Sequence, residues 1–160
     1  MGTLLIRLTF VAALAATLFY YLSMRKDLRW LPYGRLGYHA TVTGVLIAAA
    51  YLLFLILTHQ FQYTYVWNYS STSLPVPLLI STFYAGQEGS FMLWAVYTAV
   101  IGVFLMSYTS KRGYEPSVMA VFSLIEAFLL LMLVIKNPFE RVWESFPGQV
   151  EAGFVPGNGR

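Results

Sequence analysis

The chain has 160 residues, of which 58% are hydrophobic and only 11% charged, with a mean hydropathy of +0.63 and a formal net charge of +3. So little polar surface cannot clothe a water-soluble globule, and the composition describes an all-α integral membrane protein, a single membrane domain over residues 1–160. The absence of cysteine excludes a disulfide framework, a thiolate metal site and a cysteine nucleophile. No phosphate loop, dinucleotide fingerprint, paired metal-binding histidines, serine elbow or basic face for nucleic acid is present either.

Four apolar runs, at about residues 3–23, 37–58, 89–108 and 117–136, each approach the ~20 residues a helix needs to cross the hydrocarbon of a bilayer. They predict four transmembrane helices, with a loop over 59–88 and a tail over 137–160. The first run is expected to stay in the mature chain and not be cleaved as a signal, because its flanking positive charges follow the apolar stretch instead of preceding it. Arg7 lies about one turn inside it and can snorkel to the interface. Basic residues cluster at Arg25, Lys26, Arg29 and Arg35 and again at Lys111 and Arg112, whereas 59–88 holds no lysine or arginine. The bias predicts that these two basic loops face the cytoplasm and that the long loop and both termini lie outside, in an inner (cytoplasmic) membrane or, in a eukaryote, the mitochondrial inner membrane. Lys136 and Arg141 dilute that bias, accompanied by Glu140, Glu144 and Glu151.

Small residues four apart, Ala12 and Ala16, Gly44 and Ala48, Ala95 and Ala99, mark faces where helix backbones can approach closely in lipid. His39 and His59 bracket the second run, ~30 Å apart at helical rise, so they cannot share one metal or haem. His59 alone could ligate haem, against the plainer reading of a solvated interfacial side chain.

In the loop, Phe61, Tyr63, Tyr65, Trp67 and Tyr69 recur at every second position, which in an extended chain puts them on one face. Two readings stand: an aromatic belt at the membrane interface, or a wall for a planar ligand or an apolar partner. The prolines of "LPVPLLIS" end that run and predict a short helix along the surface. Next comes the hinge "GQEGS", Gly86, Gln87, Glu88, Gly89 and Ser90, leading into Trp94. The third helix is expected to begin at Glu88 or Gly89, the carboxylate complementing its N-terminal partial charge and Ser90 satisfying free N–H groups. The two glycines allow close approach of a ligand or another chain.

Glu126 falls about ten residues into the fourth run, too deep to snorkel. It is a proton relay or ligand contact on one reading and a neutral interhelical hydrogen-bonding residue on the other. Depth matching puts Tyr51, Tyr97 or Thr98 at its level, so a hydroxyl from one of them is expected to meet it.

The stretch "HQFQYTYVWNYSSTSLPVPLLISTFYAGQEGSFMLW", followed after one further helix by "NPFERVWESFP", resembles the CcmF/CycK family, the haem-lyase subunits of cytochrome c maturation. Asn68, Ser70, Ser71, Leu74, Pro75, Gly86, Glu88, Gly89, Ser90, Leu93, Trp94, Asn137, Pro138, Phe139 and Arg141 stand at matching places, and the likeness runs from about residue 40 onward. It departs at Gln87, where some members carry histidine, and at Glu126, where the family has a small or apolar residue. The resemblance implies a membrane component of the haem lyase that attaches haem to apocytochrome c on the outer side. Its tryptophan-rich haem-binding segment would lie in a remainder beyond this chain, a longer protein or a split partner, so no catalytic residue or haem ligand is assigned here. Expected partners are that remainder, a haem chaperone, apocytochrome c and membrane lipid. The Gly86 to Ser90 hinge, the aromatic residues 61–69 and the tail motif Asn137, Pro138 and Phe139 are the candidate surfaces. The alternative is a four-helix accessory subunit of a respiratory or transport complex in which Glu126 carries protons.

Overall fold

The computed structural model describes residues 1–25, 27–148 and 151, so Lys26 and most of the predicted tail beyond residue 148 lie outside the described residues. In chain order the helices are α1 (Gly2–Met24), α2 (Leu31–Leu57), the short α3 (Thr64–Tyr69) and α4 (Val76–Ser81), α5 (Gln87–Ser110), α6 (Glu115–Ile135) and the single-turn α7 (Val142–Ser145). Among the described residues, four helices, α1, α2 with the 3₁₀ turn before it, α5 and α6, are long and apolar enough to span a membrane.

Local chemistry sets the boundaries. α2 starts earlier than its apolar run because Pro32 sits in its first turn, where a missing N–H costs nothing, and a 3₁₀ turn at Leu28–Trp30 capped by Asp27 precedes it. Arg29 also lowers the pKa of that exposed Asp27 carboxyl by hydrogen bonding to it. α6 likewise begins at Glu115 with Pro116 in its first turn, after Gly113 reverses the chain at φ +80°.

The four long helices form a closed ring in which α1 packs on α2 and α6, and α5 packs on α6 and α2. Small residues govern the contacts, as the sequence predicts. A Cβ on Gly37 would lie 3.1 Å from Ala16 Cα, a Cβ on Gly44 would collide with Thr9, and Ala13, Ala48, Ala95 and Ala99 are buried.

One end of the ring carries the long loop, the start of α1 and the segment after α6; we call it the aromatic end. Asn137 Nδ2 donates to Thr3 Oγ1 at 2.8 Å, Asn137 Oδ1 accepts the Phe139 N–H at 3.0 Å, and the buried Phe139 ring lies against Gly2. At the other end, Arg35 Nε donates to Glu115 Oε1 at 2.8 Å and Arg35 Nη2 to Ser110 Oγ at 2.8 Å, while Tyr20 OH reaches Glu115 Oε1 at 3.4 Å. These bonds tie all four long helices together.

The alternating aromatics are not extended. Residues 64–69 form α3, and Tyr63 alone keeps an extended conformation, in an isolated bridge to Arg141. An extended chain without a sheet partner leaves its N–H and C=O groups unpaired, whereas a helix satisfies them internally. Helical spacing then splits the presumed single face: Tyr65 and Tyr69, four apart, pack in a tilted pair with ring centroids at 4.8 Å, while Trp67 turns away to Phe146 at 6.2 Å. The predicted surface helix does form, as α4.

Candidate functional site

Tyr65 is held almost out of solvent by α3, and the loop wraps around its phenol. The hydroxyl donates to Thr82 O at 2.9 Å and Phe83 O at 3.0 Å and accepts the Gly86 N–H at 3.1 Å. One phenol thus gathers the backbone on both sides of the turn into α5. Burial, then the nearby Glu88 charge, pushes the Tyr65 phenol up to about 12, while the Gly86 bond acts the other way. It is a neutral donor throughout the physiological range.

The hinge glycines are buried against this phenol. A Cβ on Gly86 would come within 2.5 Å of the Tyr69 ring and 2.8 Å of the Tyr65 ring, and one on Gly89 would collide with Phe83 O and the Tyr65 hydroxyl. Close approach of backbone is therefore what both glycines provide, and the neighbour is the chain's own loop. α5 starts at Gln87 with Gly86 as its N-cap, slightly ahead of the expected start. Ser90 does not satisfy helix N–H groups; its hydroxyl donates to Gly86 O at 2.9 Å and Tyr84 O at 3.2 Å. Gln87 is exposed at the rim. Glu88 lies beside it in the first turn, half-buried, with one oxygen buried and unpartnered. Trp94 does not join this cluster: it is 63% exposed on the outward face of α5.

The remaining aromatics are structural neighbours of the tail. Tyr63 OH lies 3.2 Å from Tyr51 OH, and burial followed by that hydrogen bond pushes the Tyr63 phenol up to about 12. Phe61 is buried beside His59, whose φ of +54° is a strained value for a non-glycine residue. The Val142 N–H donates to Gln62 O at 3.0 Å, the Thr64 N–H to Glu140 O at 2.9 Å, and Thr64 and Ser145 hydroxyls meet at 2.7 Å. α7 opens with a reciprocal cap between Arg141 and Glu144. Pro138 lies between the bonds that Asn137 makes and the buried Phe139 ring. The aromatic loop, the hinge and the tail motif, distant in sequence, form one folded cap over the aromatic end.

Among the described residues no cluster of three or more histidine, aspartate, glutamate or cysteine side chains could hold a metal. The cap presents Gln87 and the half-buried Glu88 at its rim, next to glycines packed on the Tyr65 and Tyr69 rings.

Glu126, the intramembrane carboxylate, is fully buried in the ring, yet neither oxygen has a hydrogen-bond partner. The expected hydroxyls are elsewhere. Tyr51 is engaged with Tyr63 at the aromatic end, and Tyr97 is 55% exposed on the outside of α5. The depth holds on α5, where Tyr38 reaches the Thr98 and Ala99 carbonyls, but Tyr97 points outward; on α2 the tyrosine near Glu126 is Tyr38, and Tyr51 lies at the aromatic end against Phe139. Glu115, outside the 117–136 run that predicts the fourth span, opens α6, and the Glu-Pro pair shortly after Gly113 is the helix-start signal that marks it.

No family model matches the chain. Curated relatives do. It is 30% identical over 105 residues to the cytochrome c-type biogenesis protein CcmF of Haemophilus influenzae, covering 63% of this chain and 16% of that protein. It is 29% identical over 128 residues to CcmF of Escherichia coli K12, covering 77% of this chain and 20% of the relative. To the probable cytochrome c-type biogenesis protein NrfE of E. coli K12 it is 32% identical over 130 residues, 78% of this chain and 23% of the relative. Among solved structures, a cytochrome c haem lyase CcmF superposes with a TM-score of 0.76 at 25% identity over 88% of this chain and 24% of that one. The chain thus spans about a fifth of the length of the curated relatives it matches.

Proposed function

The chain belongs to the CcmF family, and from that premise we propose that it serves cytochrome c-type biogenesis as a membrane component of the haem lyase. The observation that carries this reading is the superposition on a cytochrome c haem lyase CcmF over 88% of the chain. In this reading the chain supplies the floor and outer rim of the assembly. Haem binding and bond formation to apocytochrome c fall to the remainder carrying the tryptophan-rich segment, with a haem chaperone delivering haem. The membrane is the inner one, with the aromatic end and both termini outside, in keeping with the basic residues gathered at the Arg35 end.

The rim at Gln87 and Glu88 is the surface that meets that remainder or a haem-bearing partner. Its order depends on Gly89 having no side chain, while Glu88 contributes contact and charge without bond-making chemistry. In a strain that depends on this protein for c-type cytochromes, Gly89→Leu should abolish holocytochrome and Glu88→Gln should cost much less, compared at equal amounts of protein in the membrane. Full activity of Gly89→Leu would overturn the reading. Copurification gives an independent check, since a haem absorption band and a maturation partner are expected to accompany the protein.

A further inference from the structure

Glu126 sits where the ring changes character. Toward the Arg35 end, α6 turns Glu115, Met119, Ser123 and Glu126 inward at spacings of one helical turn, all of them buried. Hydroxyls from the neighbouring helices follow the same line. Tyr20 of α1 meets Glu115 at 3.4 Å, Thr17 of α1 meets Ser123 at 3.1 Å, and the phenol of Tyr38 of α2 donates to Thr98 O and Ala99 O, both at 3.3 Å. That last bond brings Tyr38 to the level of Glu126, within electrostatic reach of it. Toward the aromatic end the same interior is filled by Leu130 and Leu133 of α6, Leu52 and Ile56 of α2 and Met92 of α5, all buried. Thr9 of α1, on the aromatic-end side of Thr17, spends its hydroxyl on Leu5 O at 2.7 Å and packs against Gly44.

The titratable and charged groups facing this interior are Tyr20 of α1, Arg35 and Tyr38 of α2 and Glu115 of α6; the buried face of α5 offers none. Among the described residues the cation facing the interior is Arg35, already paired with Glu115. A carboxylate without a counter-ion is expensive in hydrocarbon surroundings, so Glu126 must carry a proton or be supplied with one.

We propose that Glu126 is a proton-binding site served from one end: its carboxylate, which has no hydrogen-bond partner at rest, takes a proton from water at the Arg35 end through the side of the interior lined by the Tyr20, Thr17, Ser123 and Tyr38 hydroxyls, and returns it by the same side. Nothing is oxidised or reduced; one O–H bond forms on the carboxylate as one breaks on the donor. The wall of leucine, isoleucine and methionine side chains on the far side closes the route. This holds whatever the role of the cap.

The test uses the whole chain in lipid bilayers and the infrared carbonyl absorption of a protonated carboxyl. A band that shifts in heavy water and disappears in Glu126→Gln is expected. Its exchange with deuterium should slow about tenfold in Ser123→Ala, in line with the loss of one hydrogen-bonding group, and stay unchanged in Thr9→Val. Absence of the band in the unmodified protein, or its persistence in Glu126→Gln, overturns protonation of Glu126. Equal exchange rates in Ser123→Ala and the unmodified protein overturn the route. Should Glu126→Gln not fold, the Ser123→Ala rate decides.

Discussion

A single phenol carries more of the cap than its position in an aromatic run suggests. Removing the Tyr65 hydroxyl strands the Gly86 N–H and the Phe83 carbonyl in a buried setting, and an orphaned buried polar group costs about 1–3 kcal/mol. Tyr65→Phe should therefore lower the thermal unfolding midpoint in detergent while leaving the apolar ring packing intact. The deficit should also depend on pH. Burial raises this phenol from its ordinary value of 10.0 to about 12, so the unfolded chain releases the proton first as pH rises. The stabilisation is complete below about 10 and is lost as pH climbs through about 12. The gap between the unmodified protein and Tyr65→Phe should accordingly narrow in alkaline buffer; a gap that widens there would contradict the assignment. Residue chemistry also explains why this hub was hidden in the sequence. Alternation suggested that Tyr65 shares a face with Tyr63 and Trp67, but a short helix pairs it with Tyr69 instead.

At the scale of elements, the spans were legible because apolar runs of sufficient length have one stable solution in lipid. Their partnerships were legible in part: alanine and glycine spacing marked close faces, and Gly44 does meet Thr9. The Arg35–Glu115 tie was not, since an ion pair between residues 80 apart leaves no local pattern. It makes an asymmetric prediction. The Arg35 side chain is 43% exposed and that of Glu115 only 3%. Arg35→Ala leaves a buried acid with one long bond to Tyr20, whereas Glu115→Ala leaves a cation that can turn to water. The arginine variant should be the less stable of the two in thermal unfolding, with a loss approaching the ~3–5 kcal/mol seen when a buried pair is broken from one side. The cap was legible only as separate motifs. Hydrogen bonds between the chain near residue 64 and the segment after α6 assemble them, and nothing in either segment alone announces the other.

For the whole molecule, four spans with α1 beginning and α6 ending at the aromatic end put both sequence extremes of the ring on one side. Because the chain has no cysteine, single replacements report sidedness without a background. Ser73→Cys, in the exposed loop, should react with an impermeant thiol reagent in intact cells or spheroplasts, and Ser110→Cys, at the Arg35 end, should react only after the membrane is opened. Equal labelling, or labelling of Ser110→Cys alone, would reverse the orientation.

The bond between Asn137 and Thr3 has a consequence in time. Its partners are 134 residues apart, and at ~5–20 residues per second of synthesis the first helix waits on the order of ten seconds for the segment that clasps its end. Throughout that interval the face of α1 that will meet α6, with Thr17 and Tyr20, has no permanent neighbour. The insertion machinery or surrounding lipid must shelter it, and the ring closes only when its last strut arrives.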